Sequence, residues 1–365
     1  MSIEIQCPEA CRACKHITMD EVSSLQQKTS FLKNKLAQHK DIIADIHAVS
    51  GNQRLGYRNK VCLHATYADG RWHFGLMSRK VFVPLPLCPV HAPIVNTTAA
   101  FLAGVMPPPD IFPLHFYVQS GKQLMLVVKS RTLPLTDWLS PEVEGFLQTQ
   151  GIEGLWLHLN PSAGHKVFMK NNFFLLSGKP HSLDAHGLRY GPMSFQQLIP
   201  ALYDDSVAKA MDFLKPDKNS VVVDLYCGTG YTCLQWHSRG AVTTGVELNG
   251  EAVGCFKVNV PGVEVLRGKC ADRIPQLEVF THQHKGFTPL LYVNPPRTGI
   301  EEKVLRWITE SYRPLRIAYL SCSPGTLSRD LTLLEAGGYN TEGIIPYDFF
   351  PQTIHVECLA LLSLF

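Results

Sequence analysis

Three textures of apolar and polar positions follow one another along the chain. Residues 17–48 (ITMDEVSSLQQKTSFLKNKLAQHKDIIADIHA) set Leu25, Phe31, Leu32 and Leu36 at helical spacing, with no Gly or Pro, which predicts one amphipathic helix. From about residue 50 to 185 the runs shorten and alternate, as in VCLHATYADGRWHFGLMSRKVFVPL with YADGRW as a hairpin turn, and predict a β-rich region. After Pro216, apolar strands alternate with helical stretches: NSVVVDLYCGTG, GAVTTGVELN, VEVLRGKC, FTPLLYVNPPRTG, LRIAYLSCSP, NTEGIIPYDFF and HVECLALLSLF. That alternation predicts a mostly parallel, doubly wound α/β sheet. The expected organisation is a cysteine-containing arm and helix (1–48), a β-rich central domain (49–188) and a Rossmann-like α/β domain (189–365).

Composition changes this picture little. The chain has 365 residues and a net charge of +3, which announces neither an acidic nor a basic partner by itself. A mild basic tilt in residues 1–214, 20 Lys/Arg against 16 Asp/Glu, is compatible with phosphate contacts. The start, MSIEIQCPEACRAC, lacks the apolar core of a signal peptide, and no apolar run reaches the roughly 20 residues that span a bilayer. Eleven cysteines without an export signal point to a reducing compartment. The expectation is a cytoplasmic protein with no membrane association.

Chemistry concentrates at strand ends. In VVVDLYCGTGYTC, Asp224 closes the first strand, and Gly228 and Gly230 allow a tight turn and close approach of a ligand to the backbone. The next strand ends in Glu247, where a carboxylate can accept from two ribose hydroxyls. A dinucleotide site would favour G-x-G-x-x-G; D-L-Y-C-G-T-G has the pattern of an S-adenosylmethionine pocket. A later strand ends in Asn294-Pro295-Pro296-Arg297, a rigid loop presenting an amide. Amide and adenine methyltransferases carry an aromatic residue after such prolines, and Arg297 stands there instead.

YLSCSPGTLSRD places Cys322 between a strand and a helix N-terminus, with Arg329 in the first turns. A free thiol is only about 3% thiolate at pH 7, and both features would favour the anion. A thiolate beside a methyl donor suits an electrophilic ring carbon, such as carbon 6 of uracil. Addition there makes carbon 5 nucleophilic, and a base must afterwards remove the carbon 5 proton. Glu357, set among Val356, Leu359, Leu361 and Leu362, is the candidate base, with His355 two positions earlier as the other possibility.

DLYCGTG, NPPRTG, YLSCSPGTLSRD and DFFPQTIHVE together resemble, in order, the motifs of the RNA uracil-5-methyltransferase family. The resemblance implies Cys322 as nucleophile and Glu357 as base. It implies S-adenosylmethionine contacts at Gln197, Tyr226, Glu247 and Asn294, with Asp224 and Gly228 in the same pocket, and Phe195 stacking on a flipped base. The family often shows F-x-Q-x-N, where this chain has Ile199 in the last place. Many members have Asp where Asn294 stands; Asn resembles the branch that methylates 23S rRNA.

Cys7, Cys11, Cys14 (QCPEACRACKH) and Cys88 (FVPLPLCPVHAP) offer four thiolates, whose spacing permits zinc as readily as iron–sulfur. Similarity to family members with such a set implies a [4Fe–4S] cluster, with Cys62 the substitute should Cys7 not ligate. The cysteines begin at residue 7, so the N-terminal RNA-binding barrel of many members is not expected here. RNA contacts are therefore expected from the central region, at Arg58 and Lys60 among others (Arg54, Arg79, Lys80). The expected partner is RNA, 23S rRNA before tRNA, with no obligate protein partner. A non-catalytic RNA-binding module with a relict fold is the remaining alternative.

Overall fold

The computed structural model describes residues 7–162 and 166–365; the first six residues of the expected N-terminal arm lie outside the described residues. The described chain forms two compact units and passes between them more than once. One comprises the arm up to Lys15, Gly51–Asp184 and Tyr190–Leu198; the other comprises His16–Ser50, Ala185–Arg189 and Ile199–Phe365. No helix among the described residues is long and apolar enough to cross a membrane.

The helix expected over 17–48 is shorter: α1 covers Glu21–Lys35, capped by Asp20, whose carboxylate accepts from Ser23 N–H. Its buried stripe runs Ser24, Lys28, Leu32 and on to Leu36, whereas Phe31 is exposed. After a 3-10 turn at Ala37–Ile42 the chain becomes extended and bridges Ile43 to Ile344 and His47 to Tyr347. Those bridges cover the edge of a strand, which is why the helical pattern stops there.

In the first unit, β1 (Lys60–Ala68), β2 (Arg71–Ser78), β3 (Val81–Pro84), α2 (Pro93–Val105), β4 (Leu114–Ser120), β5 (Gln123–Val128), α3 (Pro141–Thr149), β6 (Gly154–Leu159) and β7 (Phe173–Gly178) follow in order. They make one sheet, β3-β2-β1-β4-β5-β6-β7, antiparallel except for β5 with β6. The expected hairpin forms at Asp69-Gly70, both with positive φ, as a tight two-residue turn requires. Trp72, Phe112, Tyr117 and Leu126 are among the buried side chains of its core.

Two short strands, β8 (Ser182–Leu183) and β9 (Arg189–Tyr190), precede the remaining elements. These are α4 (Pro200–Leu214), β10 (Ser220–Leu225), α5 (Tyr231–Ser238), β11 (Val242–Glu247), α6 (Gly250–Asn259), β12 (Glu264–Arg267), α7 (Cys270–Gln283), β13 (Thr288–Val293), α8 (Glu302–Arg306), β14 (Arg316–Ser321), α9 (Pro324–Ala336), β15 (Tyr339–Tyr347) and β16 (Glu357–Leu364). The sheet order is β12-β11-β10-β13-β14-β16-β15. β10 through β14 are parallel, and β16 runs antiparallel to both neighbours. The near-continuous apolar runs of β10, β13 and β14 are buried on both faces; each fully buried Val or Leu contributes about 1.5–3 kcal/mol. That burial makes the carboxyl edge of the sheet a rigid platform. Strand order reverses between β10 and β13, and the crevice outside their carboxyl ends is where such sheets take ligands.

Candidate active site

The turn after β10 is shaped by backbone geometry. Tyr226 and Gly228 have φ of 63° and 57°, and Gly230 has φ of 97°. For Tyr226 this left-handed conformation costs on the order of 1–3 kcal/mol, a strain that the surrounding fold must sustain. A Cβ on Gly230 would lie 2.7 Å from the Phe256 ring, so the glycine is what lets the turn lie on α6. A Cβ on Gly228 would meet nothing within 4 Å, which leaves its outer side open. Glu247, at the end of β11, closes the turn from the side: Oε2 accepts from Gly228 N–H at 3.0 Å and Oε1 from Asn249 N–H at 2.6 Å. Asp224 is fully buried, and Oδ2 accepts from the Trp236 indole at 2.8 Å. Burial pushes its carboxyl up to about 6. Asn294, half-buried, continues β13 and donates its N–H to Leu225 O.

The same edge carries the candidate nucleophile and base. Ser321 of β14 pairs with Cys358 of β16, so one antiparallel step further sets Cys322 opposite Glu357. Burial pushes the Cys322 thiol up to about 11, the Glu357 carboxylate adding to the rise and Arg297 opposing it. Burial likewise pushes the Glu357 carboxyl up to about 7, with Arg297 again pulling the other way. Arg297 is thus the cation shared by thiol and carboxyl.

Two details, the place of Arg329 and the state of the thiol, differ from the sequence expectation. Arg329 does not face the thiol; it pairs with buried Asp330 at 2.6 Å and donates to Thr298 O. Asp330 also accepts from Ile300 N–H and the Tyr319 hydroxyl, and Thr326 Oγ1 donates to Arg297 O, so α9 fastens the NPPRTG loop. The resting thiol is held protonated rather than ionised, because desolvation and a neighbouring carboxylate outweigh Arg297. His355 is exposed and precedes β16, whereas Glu357 is buried. Arg297 escaped the sequence reading, which used it only to set aside amino-group methylation; the one available signal was a cation following two strand-end prolines.

The other expected site residues belong to the first unit. Phe195 is 60% exposed, with Lys60 Nζ 5.6 Å from its ring centroid. Lys60 also donates to Ser194 O at 2.6 Å, which braces this segment, and Gln197 lies two residues further on. Arg58 is turned elsewhere: its charge acts on Cys14, Cys88 and His91. Arg54 is buried.

Cys14 lies within electrostatic reach of Cys88, Cys11 and Cys7, Cys7 within reach of Cys88 and Cys11, and Cys88 within reach of Cys11. Burial, with neighbouring thiols adding to it, pushes Cys14 up to about 11. No thiol of this set acts on Cys62. Among the described residues no group of three or more His, Cys, Asp or Glu side chains is closed around a metal position. The four thiols and the cation of Arg58 nevertheless suit an electron-rich, all-thiolate group.

A Gly-rich turn, an acidic end to the next strand and a crevice at the strand-order reversal define an α/β methyltransferase fold. A family model described as tRNA (uracil-5-)-methyltransferase matches residues 279–364. An uncharacterized RNA methyltransferase of Thermosynechococcus vestitus is 30% identical over 97% of this chain and 82% of its own length. Another, of Oceanobacillus iheyensis, is 29% identical over 99% and 83%. Among solved structures, the Pyrococcus abyssi tRNA (uracil-54, C5)-methyltransferase in complex with S-adenosyl-L-homocysteine shares the fold. Its TM-score is 0.73 at 22% identity, covering 98% of this chain and 88% of that one. The chain belongs to the RNA methyltransferase family of these relatives.

Proposed function

We propose that the protein methylates carbon 5 of a uridine in 23S rRNA, and the observation that carries the chemistry is the placement of Cys322 opposite Glu357 with Arg297 beside both. Cys322 adds to carbon 6 of the ring, and the electrons of the 5,6 double bond move toward the carbonyl at carbon 4. Carbon 5 then takes the methyl group, which S-adenosylmethionine supplies. Glu357 removes the carbon 5 proton, the double bond re-forms, and Cys322 leaves as thiolate. Two acids held this close do not ionise together cheaply, so the thiolate forms, its proton passing to solvent, most readily while Glu357 is neutral; once the sulfur is bound to carbon 6 its charge is gone, and Glu357 can release its own proton to solvent and act as the base. Arg297 lowers the cost of either anion. Glu247, Asp224, Tyr226, Gly228 and Asn294 would hold the methyl donor, with Glu247 at the ribose. Phe195, exposed and backed by Lys60, would stack on the extruded base.

Asn294 and the cysteine set support 23S rRNA as the substrate; the description of the matching family model favours tRNA as the second reading. Methylation of purified 23S rRNA and tRNA transcripts, with mass spectrometry locating any 5-methyluridine, tests both. Product on tRNA alone would overturn the rRNA assignment.

Cys7, Cys11, Cys14 and Cys88 would hold a [4Fe–4S] cluster that ties the arm to the loop after β3. Protein purified without oxygen is expected to be brown, absorbing near about 400 nm, with about four irons per chain. Cys14→Ser or Cys88→Ser should bleach it and lower the melting temperature, since the link closes a loop of roughly 75 residues. Cys62→Ser should leave the colour unchanged. One zinc and no iron in anaerobic material would overturn the cluster without touching the methyl-transfer reading.

A further inference from the structure

The segment between β15 and β16, Asp348–Val356, has no regular structure, yet Asp348, Phe349, Gln352 and Thr353 are buried. It delivers the first residue of β16, Glu357, to the site. Several of its polar groups meet α1 and the residues flanking it. Lys28, in the centre of α1, forms an ion pair with Asp348 in which both side chains are wholly buried, and Lys28 Nζ also donates to Phe350 O at 3.0 Å. His16 N–H donates to Gln352 O at 3.1 Å, Ser24 Oγ reaches Pro351 O at 3.5 Å, and Asp348 N–H donates to His47 O at 2.8 Å. His16 Nδ1 is in turn 2.9 Å from Ser24 Oγ.

A fully buried ion pair adds little net stability compared with an apolar pair of the same shape, and its best-attested use is to specify one arrangement. Here the arrangement specified is the entry of β16. A one-residue slip of this segment would turn Glu357 to the opposite face of the sheet, because side chains alternate at every residue. We propose that Lys28 is a positioning residue: through Asp348 and Phe350 it sets the register in which Glu357 faces Cys322. The inference rests on the uridine chemistry proposed above, in which Glu357 acts only after the methyl group has been transferred.

That order supplies a distinctive test. Wild type, Lys28→Met and the double variant Lys28→Met/Asp348→Asn are compared for S-adenosylmethionine affinity, release of methylated RNA, covalent protein–RNA adduct on denaturing gels, and hydrogen exchange. Lys28→Met is expected to keep methyl-donor affinity within about twofold and to release product about 10- to 100-fold more slowly, with adduct accumulating. Amide exchange should rise in residues 348–357. The double variant, which leaves no unpaired buried charge, should show the same adduct and little additional loss, since the two residues act as one unit. It carries the test alone if the single variant fails to fold.

Unchanged adduct and release in a folded variant would overturn the inference. So would a loss of methyl-donor affinity by the same factor as turnover, which marks general damage. Exchange needs no RNA: if wild type methylates none while the variant loosens 348–357 alone, the uridine reading falls and the clamp stands.

Discussion

Cys322→Ala is expected to abolish methyl transfer, by a factor of at least about 10⁴, while methyl-donor affinity stays within about twofold of normal. The two effects separate because Cys322 lies beyond the end of β14, whereas the proposed donor residues stand at the ends of β10 and β11. Without the thiol nothing adds to carbon 6, and carbon 5 stays too weak a nucleophile for the methyl group. The replacement removes a half-buried thiol and leaves little cavity, so the fold should tolerate it. Calorimetric titration with S-adenosylmethionine and radiolabelled methyl transfer to RNA check the two halves. Turnover of the alanine variant at even a few per cent of normal would remove the covalent mechanism.

Glu357→Gln should stall the reaction at a later point. Thiol addition and methylation need no base at carbon 5, but the carbon 5 proton then has no acceptor, and the ring cannot release Cys322. A protein–RNA adduct carrying the new methyl group should therefore build up to near stoichiometry. Free methylated RNA at normal rates, with no shifted band, would exclude Glu357 as the base.

The same substitution has a stability signature. Burial raises the Glu357 carboxyl from an ordinary 4.5 to about 7, so between those values the folded protein holds a proton that the unfolded chain has lost. Stability from this group is present below the lower value and is lost as pH rises through about 7. The full excursion corresponds to roughly 3 kcal/mol. Gln cannot ionise, so the variant should be the more stable protein at pH 8 and gain little at pH 4. Urea unfolding at the two pH values measures this, and equal stability of variant and wild type at pH 8 would refute the buried-carboxyl account.

How much of this was legible beforehand follows from which interactions are local. The parallel strands could be read as apolar runs between helical stretches because strands buried on both faces need side chains apolar at nearly every position. Asp224, Gly228, Gly230 and Glu247 could be read because one strand–turn–helix–strand passage brings them together within 24 residues. Each motif occupies a few consecutive positions, and its geometry is set by backbone sterics near at hand.

Other features depended on partners far away in the chain. Lys28 reads as one more exposed lysine on a polar helix until Asp348, 320 residues later, is seen beside it. Leu25 and Phe31 fit a helical stripe equally well, but the face that α1 buries is decided by what it packs on. Arg297 and Arg329 both follow strand ends; the tertiary fold commits one to Asp330 and leaves the other facing Cys322. Glu357 could be recognised alone as a carboxylate among apolar neighbours. Its position opposite Cys322 came only from β16 running against its neighbours, which returns the start of the last strand to the carboxyl edge. The residues and their chemical types were thus determined by the sequence itself. Which anion meets which cation was decided by strand direction and register, because a charge acts through space on whatever the fold brings near it.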